Sequence, residues 1–299
     1  MVGPTAVGKS QMALLLARSL NAEIVNADSR QVYRHMDIGT AKPTSGERSS
    51  IPHHLLDVAD PDERYSLGLY QRQAQHSISE IVNRGRLPLL VGGTGLYMWA
   101  VVEGWRVPAV PPDTTLRQEL EELSRRDGVG ALFRRLHDMD PDAAEVVDHR
   151  NPRRLVRAIE VRLRGGPPSL RYRDTPPYTF RVIGLTMPRP QLYQHIDSRV
   201  DRMIEKGLVA EVEGLLRREY SLSLPALSGA GYREIGLHLE GKVSLEEAIQ
   251  QTKYHTHRIA RHQYAWFRTR DPRIHWLDIN ECPATAALRL TEEWLSEIH

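Results

Sequence analysis

The amino-acid sequence predicts an α/β fold, a parallel sheet flanked by helices and interrupted by a helical insertion, and three observations carry that prediction. A glycine-rich loop, GPTAVGKS at residues 3–10, runs directly into the apolar pattern QMALLLARSL. A second apolar run, LPLLV, ends in another glycine turn, GGTG, which opens a further helical pattern. Loop, helix, strand, loop, helix is the rhythm of a parallel sheet with helical crossovers. Beyond that point the strand signals stop, and short Arg- and Glu-rich helical patterns fill residues 114–164.

In chain order, residues 11–20 read as a helix and EIVNADSR as a short strand ending in a polar loop. Residues 65–83 read as a helix with Ser66 as its N-cap. LPLLVGGTG is a buried strand entering a turn, and residues 96–102 begin the next helix. Prolines in VPAVPPD break the pattern, GGPPSLRYRDTPPY closes the helical insertion, and TFRVIGLTM resumes the sheet. Residues 189–219 and 244–268 are long helical patterns, IHWLD is a last strand, and a helix ends the chain. The expected organisation is a core over 1–111, a helical insertion over 112–177, and a second core segment with C-terminal helices over 178–299.

The chain of 299 residues is long enough to bury a sizeable core. Its single cysteine, Cys282, excludes an internal disulfide and a multi-cysteine zinc site, and suits the reducing cytoplasm. No apolar run approaches the ~20 residues that span a bilayer, and residues 1–10 do not resemble a signal peptide. Cytoplasmic localisation, no membrane association and a monomeric state are the expectations. Net charge is only +2, yet Lys occurs only at Lys9, Lys42, Lys206, Lys242 and Lys253, so Arg supplies most of the 40 basic residues. The basic residues cluster in two segments: Arg153, Arg154, Arg157, Arg162, Arg164, Arg171 and Arg173, then His255, His257, Arg258, Arg261, His262, Arg268 and Arg270. Two basic segments in a nearly neutral chain point to local polyanion contacts, with solvated helix faces as the plainer alternative.

Gly3, Pro4, Thr5, Ala6, Val7, Gly8, Lys9 and Ser10 satisfy G-x-x-x-x-G-K-[ST] in full, the phosphate loop of P-loop NTPase-like folds. Backbone N–H groups of such a loop cradle phosphate oxygens at a helix N-terminus, the lysine neutralises charge, and the serine hydroxyl holds Mg²⁺. The motif calls for a preceding strand, of which the sequence holds only Met1 and Val2: either the start is placed too late or most of the first central strand is lacking. Asp28 follows at the expected carboxyl end of the second strand, where ligands of open α/β sheets bind. There a carboxylate could ligate Mg²⁺ through water, accept a proton from a nucleophile, or simply cap the next turn. Thr94 and its flanking glycines belong to the same sheet edge and offer a second anion-friendly turn.

Together these pieces resemble one family. GPTAVGKS, NADSRQVYRHMDIGTAKP, PHHLLD, GGTGLY, NPRRLVRAIE, GYREI and RHQYAWFR, in this order, are similar to the tRNA dimethylallyltransferases, the tRNA isopentenyltransferase family in its bacterial form. The resemblance runs along essentially the whole chain; the zinc finger of the eukaryotic branch cannot be built with one cysteine. It implies transfer of a dimethylallyl group from dimethylallyl diphosphate to the exocyclic amine of the adenosine immediately 3′ of the anticodon. Thr5, Gly8, Lys9 and Ser10 with Mg²⁺ would hold the donor, Asp28 would be the general base, and Thr94 would lie near the diphosphate bridge and the acceptor. Arg199, or Arg202 three residues on, would stabilise the departing charge. Asp28, Ser29, Arg30, Gln31 and Thr94, then Arg117, the stretch Arg153, Arg154, Leu155, Val156 and Arg157, and finally Arg261 to Arg268 correspond to segments that contact the tRNA anticodon stem-loop. The target base would be turned out of its stack to reach the donor.

Three rivals share part of this pattern. A small-molecule P-loop kinase predicts ATP turnover, prenyl transfer to free AMP or ADP leaves the Arg-rich segments without a task, and a non-catalytic RNA-binding protein leaves Asp28 and the phosphate loop without one. His53, His54 and Asp57 lack the pattern of a metal site, because adjacent histidines diverge. Trp266 and Phe267 read as core before they read as base-stacking residues, and Cys282 as inert.

Overall fold

The structure, a computed structural model, describes residues 1–108, 110–166, 173–281 and 283–298; Arg171 and Cys282, both singled out from the sequence, lie outside the described residues. The chain divides into two compact units, one formed by residues 1–98 and 178–299 and the other by residues 99–177. The sequence pattern set the start of the insertion at residue 112, where the prolines are; the compact unit begins within the preceding helix instead.

In the first unit, the phosphate loop enters α1 (Lys9–Ser19) through Gly8, whose left-handed φ of 98° disfavours any side chain with a Cβ. β1 (Ala22–Asn26) is buried along its full length, and α2 (Ser45–Ser50) starts from a capping box between Thr44 and Glu47. β2 (His53–His54) is followed by α3 (Leu67–Asn83), whose N-cap Ser66 accepts from Leu69 N at 3.2 Å. β3 (Leu87–Val91) and α4 (Gly95–Val102) complete this part.

The second unit is helical: α5 (Thr114–Asp127), α6 (Val129–Met139), α7 (Pro141–Val146) and α8 (Pro152–Leu163). Asp113, Asp140 and Asn151 cap α5, α7 and α8 with their side chains. The helices close on Leu120, Leu132, Leu136, Leu155 and Ile159, all fully buried.

Back in the first unit come β4 (Val182–Thr186), α9 (Arg189–Glu205), α10 (Leu208–Arg217), α11 (Tyr232–Leu239), α12 (Leu245–Trp266), β5 (Ile274–Asp278) and α13 (Pro283–Ile298). The single helical pattern read over 189–219 is thus two helices. Gly207, at φ 95°, breaks it and caps α10.

β1 pairs in parallel with β2 and β3, and β4 pairs in parallel with β5. Met1 and Val2 join the two groups. Met1 O accepts from Gly92 N at 3.2 Å on one side, while Val2 N donates to Ile183 O at 2.9 Å and Val2 O accepts from Leu185 N at 3.0 Å on the other. Met1 and Val2 therefore lie between the two groups, in the order β2-β1-β3-(Met1, Val2)-β4-β5. Val2 is fully buried, and Val7, Met12, Ile183, Leu185 and Ile196 form the core beside it. No helix among the described residues is long and apolar enough to cross a membrane.

Candidate active site

The carboxyl ends of β1 and β3 and the phosphate loop face one cleft, lined among others by Thr5, Lys9, Ser10, Asp28, Arg199 and Gln263. Lys9 Nζ donates to the carbonyls of Gly3 at 3.0 Å and Pro4 at 2.6 Å, so its charge is held over the loop. Burial pushes the Lys9 ammonium down to about 7; the neighbouring Arg199 adds to this and Asp28 opposes it. Burial likewise lowers the Arg199 guanidinium from its ordinary value, against the pull of Asp28. Basic groups in a poorly solvated cleft make a strong site for a polyanion, whose charge would in turn favour the protonated lysine.

Asp28 is held by its neighbours. Asn26, buried at the end of β1, accepts from Asp28 N at 3.0 Å and donates to Asp28 O at 3.1 Å. Asp28 Oδ1 accepts from Arg30 N at 2.9 Å, which closes the turn and fixes the carboxylate in the cleft. The same side chain thus caps the turn and lines the cleft. Thr94 does not line the cleft. Its hydroxyl accepts from Ser29 N at 3.0 Å and meets Ser29 Oγ at 3.2 Å, strapping the second glycine turn to the residue after Asp28.

The loop after Asp28 explains its unusual sequence through its anchors. Lys42, buried, pairs with Asp57 at 2.5 Å and Asp37 at 2.7 Å. Glu211 on α10 accepts from the backbone N–H groups of Asp37, Ile38 and Gly39 at 2.8, 2.7 and 3.1 Å and from the Tyr232 hydroxyl at 2.6 Å. A Cβ at Gly39 would lie 2.5 Å from the Tyr232 ring, so glycine is required there. The loop turns Gln31 inward, where its Nε2 donates to Thr40 O at 3.0 Å, and an Arg199 guanidinium nitrogen approaches the same carbonyl at 3.5 Å.

Of the alternatives on α9, Arg199 lines the cleft and Arg202 is exposed outside it. Several residues expected to meet a polynucleotide are otherwise engaged. Arg30 is tied to the carbonyls of Pro225 and Ala226 and to Ser228 Oγ. Leu155 and Val156 are buried in the helical core, so their side chains are packing residues. Arg117 and Arg157 clasp Glu160, which is fully buried, at 2.8 and 2.5 Å. Arg153, Arg154, Arg261 and Arg268 are exposed. Phe267 is fully buried, and Trp266 packs on Gly95, where a Cβ would lie 2.3 Å from the ring. His53 Nδ1 lies 2.7 Å from Ile51 O and His54 Nε2 lies 2.6 Å from Glu23, so both rings have structural partners.

The Glu160 clasp carries a stability prediction. Burial alone would raise the Glu160 carboxyl, but hydrogen bonds from Arg117, the Asp113 backbone and Arg157 outweigh it and hold it at about 2. A depressed carboxyl contributes stability in full above its unfolded pKa and loses it as pH falls through the folded one. The clasp is therefore expected to hold at neutral pH and to fail between pH ~4.5 and ~2. Glu160→Gln should cost about 2 kcal/mol at pH 7 in urea unfolding, with the difference from wild type shrinking toward pH 2. Equal midpoints at pH 7 would show the clasp to be idle.

Residues that sequence reasoning passed over are Gln263, Lys42 and Glu211. Gln263 lies within the basic segment RHQYAWFR, and a neutral amide leaves no charge or periodicity signal.

A P-loop facing a fixed carboxylate across a basic cleft at the sheet's carboxyl edge places the chain among P-loop-type α/β proteins. Family comparison is more specific. A model of the IPP transferase family matches residues 31–270, and one of isopentenyl transferases matches residues 1–59. The chain belongs to the IPP transferase family. It is 50% identical over 283 residues to the tRNA dimethylallyltransferase of Thermomicrobium roseum, covering 94% of this chain and 86% of that one. Identity to the tRNA dimethylallyltransferase of Roseiflexus castenholzii is 53% over 270 residues, covering 90% and 88%. The solved full-length tRNA isopentenylpyrophosphate transferase of Bacillus halodurans superposes with a TM-score of 0.73 at 40% identity, covering 99% and 95%.

Proposed function

We propose that this protein transfers a dimethylallyl group from dimethylallyl diphosphate to the exocyclic N6 of the adenosine immediately 3′ of the anticodon in tRNA, acting as a cytoplasmic monomer. The observation that carries the reading is the shared cleft: phosphate loop, Lys9 and Arg199 gathered around the fixed carboxylate of Asp28, in a member of the IPP transferase family. Lys9, Arg199 and the backbone N–H groups of Gly8, Lys9 and Ser10 bind the diphosphate and stabilise its growing charge as the allylic C1–O bond breaks. The adenine N6 attacks C1, and its proton passes to Asp28 as the C–N bond forms. Thr94 keeps Ser29, and with it the Asp28 turn, in register.

The Ser10 hydroxyl presents a hard oxygen donor in the cleft, which fits Mg²⁺, an ion that takes one or two protein ligands and completes its shell with phosphate and water. When bound it would neutralise diphosphate charge.

Exposed arginines suit the polyanionic acceptor: Arg153 and Arg154 on α8, and, in the other unit, Arg261 and Arg268. Arg153→Glu combined with Arg154→Glu is expected to weaken tRNA binding and reduce the slope of log K against log salt by about 1–2. An unchanged slope would leave these arginines as solvated surface.

The reading is tested by incubation with labelled dimethylallyl diphosphate and a tRNA pool, followed by nucleoside analysis. Label is expected on N6 of adenosine from the position 3′ of the anticodon. Label retained in the diphosphate, together with ATP hydrolysis, would favour a small-molecule kinase instead.

A further inference from the structure

Gln263 on α12 bridges the two glycine turns of the site. Its Oε1 accepts from Thr5 N at 2.7 Å in the phosphate loop, and its Nε2 donates to Gly93 O at 3.2 Å in the second turn. One end must accept and the other must donate, which a neutral amide does and a carboxylate or an ammonium cannot. The second turn is shaped to receive it. A Cβ at Gly93 would lie 2.1 Å from Gln263 Nε2, and one at Gly95 2.3 Å from the ring of Trp266, three residues along the same face of α12.

The helix is a firm support for this contact. A capping box between Ser244 and Glu247 starts α12, and Ala248, Thr252 and Ala260 bury its inner face. Thr5 N belongs to the loop whose amides would meet phosphate oxygens, so whatever fixes Thr5 fixes the aim of the cradle.

We propose that Gln263 is a positioning residue that sets the spacing between the phosphate loop and the second glycine turn, and so the width of the diphosphate clamp. The inference rests on the donor reading given under Proposed function. A loop displaced by about 1 Å costs rate steeply when the reacting carbon must be held in line with its nucleophile. The amide acts through the loop and does not touch the reacting atoms.

The test compares Gln263→Met, which keeps most of the volume but no amide, with Gln263→Ala, which adds no bulk should methionine crowd the turn, and with Lys9→Met. Inorganic diphosphate is titrated calorimetrically into each in the presence of Mg²⁺, and steady-state kinetics are measured with dimethylallyl diphosphate and tRNA. Loss of two hydrogen bonds should lower kcat/KM for the donor roughly 30-fold in both Gln263 variants and weaken diphosphate binding, with the KM for tRNA unchanged. Wild-type diphosphate affinity and donor kcat/KM in either folded Gln263 variant, alongside loss of diphosphate binding in Lys9→Met, overturns the inference and spares the clamp. A fall in Tm without that kinetic split also overturns it, leaving Gln263 as packing alone. Full diphosphate affinity in Lys9→Met overturns the clamp reading and this inference with it.

Discussion

Asp28→Asn is expected to lower kcat by roughly 10²- to 10⁴-fold while leaving tRNA affinity near the wild-type value. Asparagine is the informative replacement because its side-chain oxygen can still accept from Arg30 N, as Asp28 Oδ1 does, so the turn survives. What it removes is the proton acceptor and one negative charge. Single-turnover rates with saturating donor and tRNA isolate the chemical step from binding. A variant with near-normal turnover would reduce Asp28 to a turn-forming residue held by Asn26.

Lys9→Met is expected to reduce kcat/KM for dimethylallyl diphosphate by roughly 10²- to 10³-fold. The Lys9 side chain is anchored over the loop by the carbonyls of Gly3 and Pro4, so it needs no reorganisation when the donor arrives, and the diphosphate charge favours its protonated form. Charge that is placed before the leaving group departs is worth most where water is excluded, and burial is what pushes the Lys9 ammonium down to about 7. Initial-rate measurements at varied donor and fixed saturating tRNA check this. A fall confined to the tRNA KM would place Lys9 outside the donor site.

Much of this site is written in short stretches of sequence. The loop at residues 3–10 depends on Gly3 and Gly8 at positive φ and on contacts within six positions, such as Lys9 to Gly3 O. The Asp28 turn closes over two residues. Ser66 caps α3 three residues ahead. Interactions of this range belong to the local chain, so pattern and residue type suffice to find them.

Other features depend on partners far away in the chain. The same residue type took opposite roles: Arg153 faces solvent while Arg157, one helical turn on, clasps Glu160. Charge alone cannot separate them, because burial of the partner decides which arginine is spoken for. Arg199 and its alternative Arg202 share one helix, and packing turns only Arg199 into the cleft.

The phosphate loop, the carboxylate turn, the parallel α/β rhythm and the family likeness are each encoded in contiguous residues. Only packing placed Met1 and Val2 between β3 and β4, set Glu211 to hold the loop after Asp28, and brought Gln263 to Thr5 across 258 positions of chain. The physical reason is the same in each case. A buried polar group must find its complement somewhere, and which complement it finds is set by how the elements pack, a property that no local window of residues contains.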